Sequence, residues 1–456
     1  MKSKKYEIDM CNGPILRKML MFTLPLMLSS MLQLLFNAAD IIVVGKWCGD
    51  NSLGAVGSNT ALINLLTNVF IGLSIGANVL VARFYGSGNQ KDLSETVHTA
   101  MLLSIISGFI LTVVGELFAR QLLILMKTPD EILDLATEYL RIYFIGMPAM
   151  MVYNFGSAIL RAVGDTRRPL YFLFLSGVLN VGLNLLLVIP LGMDVAGVGI
   201  ATVFSQTVSA VLVVICMIRD KGAVKLEIRK LRINGKKFLS IMRIGLPAGF
   251  QGTVFSLSNV VIQSSVNLFG KTVVAGNSAA ANIEGFVYMA MNAFHHATLS
   301  FTSQNFGAAK YDRIKKSLFT GQACVFVTGL LLGQLVCIFG RPLLSIYTKT
   351  PAAIDAGMVR LKFICGTYFL CGMMDVMVGA IRGMGYAILP MTVSLIGACG
   401  LRLVWIATVF QIPKHHTTDT IYMSYPVTWA VTLAVHIICF IIIWRKNTRL
   451  KADVRT

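Results

Sequence analysis

Charge is what this sequence has little of. Only 21 of its 456 residues are Asp or Glu, and charged residues of both signs make up 13%, about half the share of a soluble chain. With 55% hydrophobic residues and a mean hydropathy of +0.72, that scarcity excludes an ordinary soluble domain and marks an integral membrane protein. The nine cysteines include no C-x-x-C pair. Several of them, such as Cys216, Cys324 and Cys337, fall in apolar runs where a thiol is a small hydrophobe, so no disulfide framework is expected. The doublets His295-His296 and His415-His416 lack ligand-like neighbours, so no metal site is expected beyond sodium at an ion-coupling site. Gly270-Lys271-Thr272 looks like the end of a phosphate-binding loop, yet Ser265 stands where that motif needs Gly. An enzyme is therefore not expected, nor a cofactor.

Long apolar runs, by contrast, are abundant. The first covers 16–44, carries Pro25 near its start and Asp40 near its end, and exceeds the roughly 20 residues a spanning helix needs. Further runs lie near 53–81, 96–119, 135–159, 169–189, 195–218, 239–268, 273–302, 317–339, 356–380, 388–410 and 423–444. These predict an all-α polytopic membrane protein with twelve transmembrane helices. Most of the 40 Lys and Arg fall on the N-terminal side and in the connections sharing it, above all in the run from Arg219 to Lys237. By the positive-inside rule both termini are expected in the cytoplasm, with the protein in the cell (inner, cytoplasmic) membrane. The basic surplus is thus read as topology, with the lipid bilayer as partner and no nucleic acid.

The second half of the chain echoes the first. Leu24-Pro25 returns as Leu246-Pro247, Lys127-Thr128-Pro129 as Lys349-Thr350-Pro351, and Arg161, Gly164 and Pro169 as Arg382, Gly385 and Pro390. The expected domains are a six-helix bundle over 1–218, a basic cytoplasmic linker over 219–238, and a second six-helix bundle with a basic tail over 239–456. An even number of spans in each half makes the two parallel repeats, related by a pseudo-twofold axis along the membrane normal. Transporters built this way bind near the midplane and alternate access by rocking.

A carboxylate within a span costs about 2.5 to 3.5 kcal/mol on insertion scales, and its default reading is a functional group facing an interior. The bland alternative for Asp40 is a place among the headgroups near Gly45. Asn180 and Asn184 are four apart and share a helical face, and Thr202 lies on the following span. Counted from the outer ends, Asp40, Asn184 and Thr202 all lie about 7 to 12 Å deep. A carboxylate, two amide carbonyls and a hydroxyl suit a small hard cation, and the same carboxylate could carry a proton instead. Asn and Thr could also serve only as interhelical glue. In the second half Glu284 and Arg402 sit at comparable depth, either as an ion pair or with Glu284 free to meet a cationic substrate. Asp375 is nearer the cytoplasmic end, where it could anchor Arg382.

Several motifs in order resemble the multidrug and toxic compound extrusion (MATE) family of bacterial efflux transporters. They are IGLSIGANVLVARFYGSGN from Ile71 to Asn89, ANIEGFVYMAMNAF from Ala281 to Phe294, SQNFGAAK from Ser303 to Lys310, and GAIRGMG from Gly379 to Gly385. The resemblance implies two bundles in an outward-open V and export of organic, often cationic, compounds in exchange for sodium or protons. It places the cation or proton site on Asp40, Asn180, Asn184 and Thr202, with Tyr139 nearby, and a bend of the first helix at Pro25. Some relatives carry Asp where this chain has Asn184, and some a carboxylate in span seven, where Gly245 to Phe269 has none. A monomer transporting small organic substrates is the expectation. The alternatives are a flippase of lipid-linked precursors, which calls for a more basic cavity, and a passive channel or receptor.

Overall fold

The computed structural model describes residues 6–222 and 224–453, which form helices and connections with no strand among them. Nine helical stretches within these residues are long and apolar enough to cross a bilayer, and a tenth results when a bent pair is taken as one span. The chain is an all-α polytopic membrane protein. The twelve predicted spans also include α8 (Gly235–Asn267) and α9 (Lys271–Gly307), of 33 and 37 residues. Their length is ample at 1.5 Å per residue, but Gln, Ser, Asn and His interrupt their apolar character. A helix can afford such residues where other protein, and not lipid, faces them.

By internal contacts the chain divides into two compact units. Unit 1 comprises the residues up to Asp9 together with Leu28–Thr253, and unit 2 comprises Met10–Met27 and the residues from Val254 onward. This division cuts differently from the expected one at 219–238, because it falls inside α1 (Ile15–Trp47) and inside α8. The reason lies in local packing. The first half of α8 docks on α2 (Asp50–Ser87) through glycines of both helices, where a Cβ on Gly72 would overlap the backbone of Gly249 and one on Gly76 the Ile241 carbonyl. Near the start of α8, Lys237 Nζ pairs with Asp92, which follows α2 in the sequence, at 2.6 Å. The start of α1 is held in unit 2, where Phe22 meets the Phe301 ring edge-on at 6.0 Å. Asn305 Nδ2 and Arg313 Nε both donate to the Met10 carbonyl, at 3.1 Å each.

Small residues at such crossings carry the association of membrane helices. Gly72→Val should therefore collapse the monodisperse size-exclusion peak of the purified protein, overpacking of a filled interior costing about 1–3 kcal/mol or more. Gly57→Val is the matched control, since a Cβ there meets nothing within 4 Å.

The remaining helices of unit 1 are α3 (Gln90–Leu125), α4 (Asp130–Ile145), α5 (Met147–Ala162), α6 (Arg167–Val188) and α7 (Asp194–Arg219). The α4–α5 pair bends by 48° at Gly146. Pro148 follows at the start of α5, and α3 accommodates it at Gly108, where a Cβ would overlap the proline backbone. Unit 2 continues after α9 with α10 (Tyr311–Ile338), the short α11 (Gly340–Ser345), α12 (Pro351–Ile364), α13 (Tyr368–Gly383), α14 (Ile388–Ser394), α15 (Leu401–Ala407) and α16 (Thr418–Asp453). A π-helical turn, Leu395–Gly400, joins α14 to α15.

The internal repeat is visible in the backbone as well as in the sequence. Gly164 and Gly385 are left-handed, with φ of 94° and 96°, a conformation that costs a side chain but not glycine. Gly49 and Gly270 precede α2 and α9 with near-identical φ of 90° and 84°.

Candidate ion-coupling site

In unit 1 the seating of Asp40 starts one turn earlier on α1. The Phe36 ring fills the notch that Gly177 leaves in α6, so closely that a Cβ on Gly177 would overlap it. Asp40, four residues after Phe36, and Asn184, seven after Gly177, follow on the same faces. Asn184 Nδ2 donates to Asp40 Oδ1 in a short hydrogen bond. The same amide nitrogen lies 3.3 Å from Asn180 Oδ1, and Asn180 Nδ2 donates to Thr202 Oγ1 at 3.4 Å. The depth-matched residues of the sequence thus form one chain of contacts across α1, α6 and α7. The Asp40 carboxylate is thus engaged by a fully buried amide.

One atom in this chain lacks a partner. Asn184 Oδ1 is buried and accepts no hydrogen bond, which normally costs about 1–3 kcal/mol. A carbonyl oxygen without a donor, in a chain of contacts that also carries a carboxylate and a hydroxyl, belongs to a donor set of the kind that hard cations take.

Tyr139 lies on α4, buried among Val43, Val44 and Leu140. Gly199 of α7 packs against the same helix, where a Cβ would crowd Ile142 at 2.8 Å and meet the Tyr139 ring in ordinary contact at 3.7 Å. The charge of Asp40 reaches both Tyr139 and Tyr143, whose rings lie 6.0 Å apart. Tyr139 is not hydrogen-bonded to Asp40, however, whose partner is Asn184. Tyr143 is a residue the sequence reading missed, although its place one turn beyond Tyr139 was the available signal. Pro25 sits inside an unbroken α1, in the part belonging to unit 2.

In unit 2 the structure corrects the pairing expected of Glu284. Its partner is Arg360 on α12, with Arg360 Nη2 and Nε donating to Oε2 at 2.7 and 3.0 Å, and not Arg402. Tyr368 donates to the other carboxylate oxygen at 3.2 Å. Arg360 Nη1 and the Tyr422 hydroxyl both donate to Asn277 Oδ1, at 2.7 and 2.9 Å, and Asn277 Nδ2 donates to Gln263 Oε1 at 2.8 Å. Glu284 is thus already neutralised by a protein cation, which counts against its meeting a cationic substrate.

Arg402 lies elsewhere because it follows the π-helical turn, whose extra residue rotates the face that comes after it. It donates to Thr428 Oγ1 at 3.3 Å and stacks over Tyr425, 3.8 Å from the ring centroid, a cation–π contact with α16. Asp375 lies on α13 two turns before Arg382, whose charge acts on it, and its backbone carbonyl lies 2.6 Å from His295 Nδ1.

Known proteins resemble this chain in sequence and in structure. It is 28% identical over 448 residues to the probable multidrug resistance protein YoeA of Bacillus subtilis, covering 95% of this chain and 96% of that one. It is 26% identical over 351 residues to an FAD transporter of Shewanella oneidensis, covering 75% and 77%. Among solved structures, the outward-facing conformation of a multidrug resistance MATE family transporter superposes with a TM-score of 0.92 at 20% identity, covering 98% and 100%. The MatE family model matches residues 25–186 and again 247–408, each copy beginning on the repeated proline, Pro25 or Pro247. A match to both halves, on a helical fold shared along almost the whole chain, places this multi-pass membrane protein in the MatE family of transporters.

Proposed function

We propose that the protein is a secondary active antiporter of the cell membrane, with both termini in the cytoplasm. It exports organic compounds, cationic ones among them, in exchange for sodium ions or protons by alternating access. The observation that carries this reading is the junction of Asp40, Asn184, Asn180 and Thr202 with its unpartnered amide oxygen. A carboxamide presents N–H at one end and C=O at the other. With no ion bound, Asn184 satisfies the Asp40 carboxylate with its N–H. A sodium ion beside the carboxylate takes over that charge and recruits the carbonyl oxygens, and a proton on Asp40 removes the charge altogether.

The ion therefore changes which contact holds α1 to α6. α1 belongs to unit 2 up to Met27 and to unit 1 beyond it, with Pro25 lacking the N–H that would complete the turn behind it. Release of Asp40 frees the far part of this helix to bend at the proline. The multidrug names borne by relatives and the basic bias of the connections support export and orientation respectively.

The test is efflux of a fluorescent cationic dye from proteoliposomes under an imposed sodium gradient or an imposed pH gradient, each applied alone. Dye movement driven by one of them is the expected result. Equal movement with no gradient, without counterflow, would instead describe a passive pore.

A further inference from the structure

We infer that a groove of about 490 Å³ in unit 2, formed by α10, α13 and α16, holds an acyl chain of an anionic phospholipid whose headgroup is met by Lys315 and Arg445. The walls are apolar and include Leu318, Met373, Met377, Leu433 and Phe440. Both cations line the groove, Lys315 in the second turn of α10 and Arg445 beyond the last apolar run of α16, and these two helix ends meet where the Tyr311 and Trp444 rings lie 6.4 Å apart. Trp444 lines the same end, stacked on Phe440 at 5.8 Å, in the manner of the aromatic residues that mark a membrane interface.

From that end the lining residues of α16 recur every four positions, Ile441, Ile437 and Leu433 following Arg445. The stripe runs about 18 Å at 1.5 Å per residue. One leaflet of a bilayer core is about 15 Å deep. The groove is therefore as long as a lipid chain and bears cations only where a headgroup would lie.

The internal repeat supplies a second, independent observation. In unit 1 the corresponding place, beside α3 and α7, is filled by the chain's own linker. Val224 and Leu226 are buried there, and Leu226 N donates to the Met217 carbonyl at 3.0 Å. Glu227 N donates to His98 Nε2 at 3.0 Å, and Asn234 N to Thr99 Oγ1 at 3.1 Å. Basic residues gather around this plug too, and Lys230 beside Glu227 holds that carboxyl below its usual range. At the repeat offset of 221 residues Met217 corresponds to Ile438, and His98 and Thr99 to Phe319 and Thr320, in or next to the groove of unit 2. There α16 runs on as helix to Asp453 and does not turn back. What the linker supplies to unit 1, an apolar segment with polar anchoring, a lipid supplies to unit 2.

The experiment is native mass spectrometry of the full-length protein released from nanodiscs of phosphatidylglycerol mixed equally with phosphatidylcholine. The native protein should retain phosphatidylglycerol preferentially. The double variant Lys315→Gln/Arg445→Gln should lose that preference on the order of tenfold, since each basic side chain near an anionic surface contributes measurably to attraction. Met377→Trp, which fills the groove, should lower retention of both lipids. A monodisperse size-exclusion profile verifies that each variant is folded. Equal retention of the two lipids by the native protein, an unchanged preference in the double variant, or a lipid-free dimer in the spectrum would each overturn the inference.

Discussion

Asp40→Asn is expected to reduce gradient-driven efflux to the background of empty vesicles, while expression, membrane insertion and the size-exclusion profile stay as in the native protein. The substitution preserves shape and leaves Asn184 facing an amide oxygen in place of a carboxylate oxygen, so the α1–α6 contact survives as a neutral hydrogen bond. What disappears is the only charge in the Asp40–Asn184–Asn180–Thr202 chain, and with it the ability to bind a cation or to exchange a proton. A neutral hydrogen bond is worth about 0.5–1.5 kcal/mol, so stability should change little. Retention of full gradient-driven efflux by the variant would remove Asp40 from the coupling. Asn184→Asp is the informative companion, because it adds a second carboxylate beside Asp40. A change in the preferred gradient, sodium against pH, would tie that preference to position 184.

Arg360→Met should have the largest effect on stability. The Arg360–Glu284 pair is largely shielded, the two side chains being 10% and 14% exposed. Removing one partner of such a pair costs about 3–5 kcal/mol, because the remaining charge is left buried without compensation. Asn277 and Tyr368 would still address the network, but neither brings a positive charge. A strong fall in the thermal unfolding midpoint in detergent is expected. The double variant Glu284→Gln/Arg360→Met should regain much of the loss, since it leaves no buried charge behind. A single variant as stable as the native protein, or a double variant no better than the single one, would show that the pair does not hold α9 to α12.

These two residues also mark where the sequence was legible and where it was not. The Asp40 set was found because three helices each offered a polar group at one depth, and depth can be counted along a chain. The partner of Glu284 was missed because its span was begun at 356, whereas α12 starts at Pro351 and carries Arg360 two and a half turns into the helix. Depth counting also says nothing of which helices are neighbours. Arg402 matched Glu284 in depth, yet a π-helical turn that no residue pattern announced aims it at Tyr425 and Thr428. Helix existence and the duplication were readable because apolar length and motif spacing are properties of the chain itself. The broken span at Gly146 and the sharing of α8 were not, since both arise from where glycines let other backbones approach, and the sharing of α1 rests on contacts with residues far along the chain such as Phe301 and Asn305.

The partition of α1 and α8 bears on how such a chain is made. Unit 1 lacks its Gly245–Gly249 wall until the ribosome has passed the basic linker and delivered the first half of α8, so the N-terminal bundle cannot finish assembling on its own. The opening turns of α1, synthesised first, wait for Phe301 and Asn305 to emerge hundreds of residues later. Biogenesis is thereby a two-way exchange: each repeat lends the other a length of helix, and neither becomes a finished object before the whole polypeptide is in the membrane.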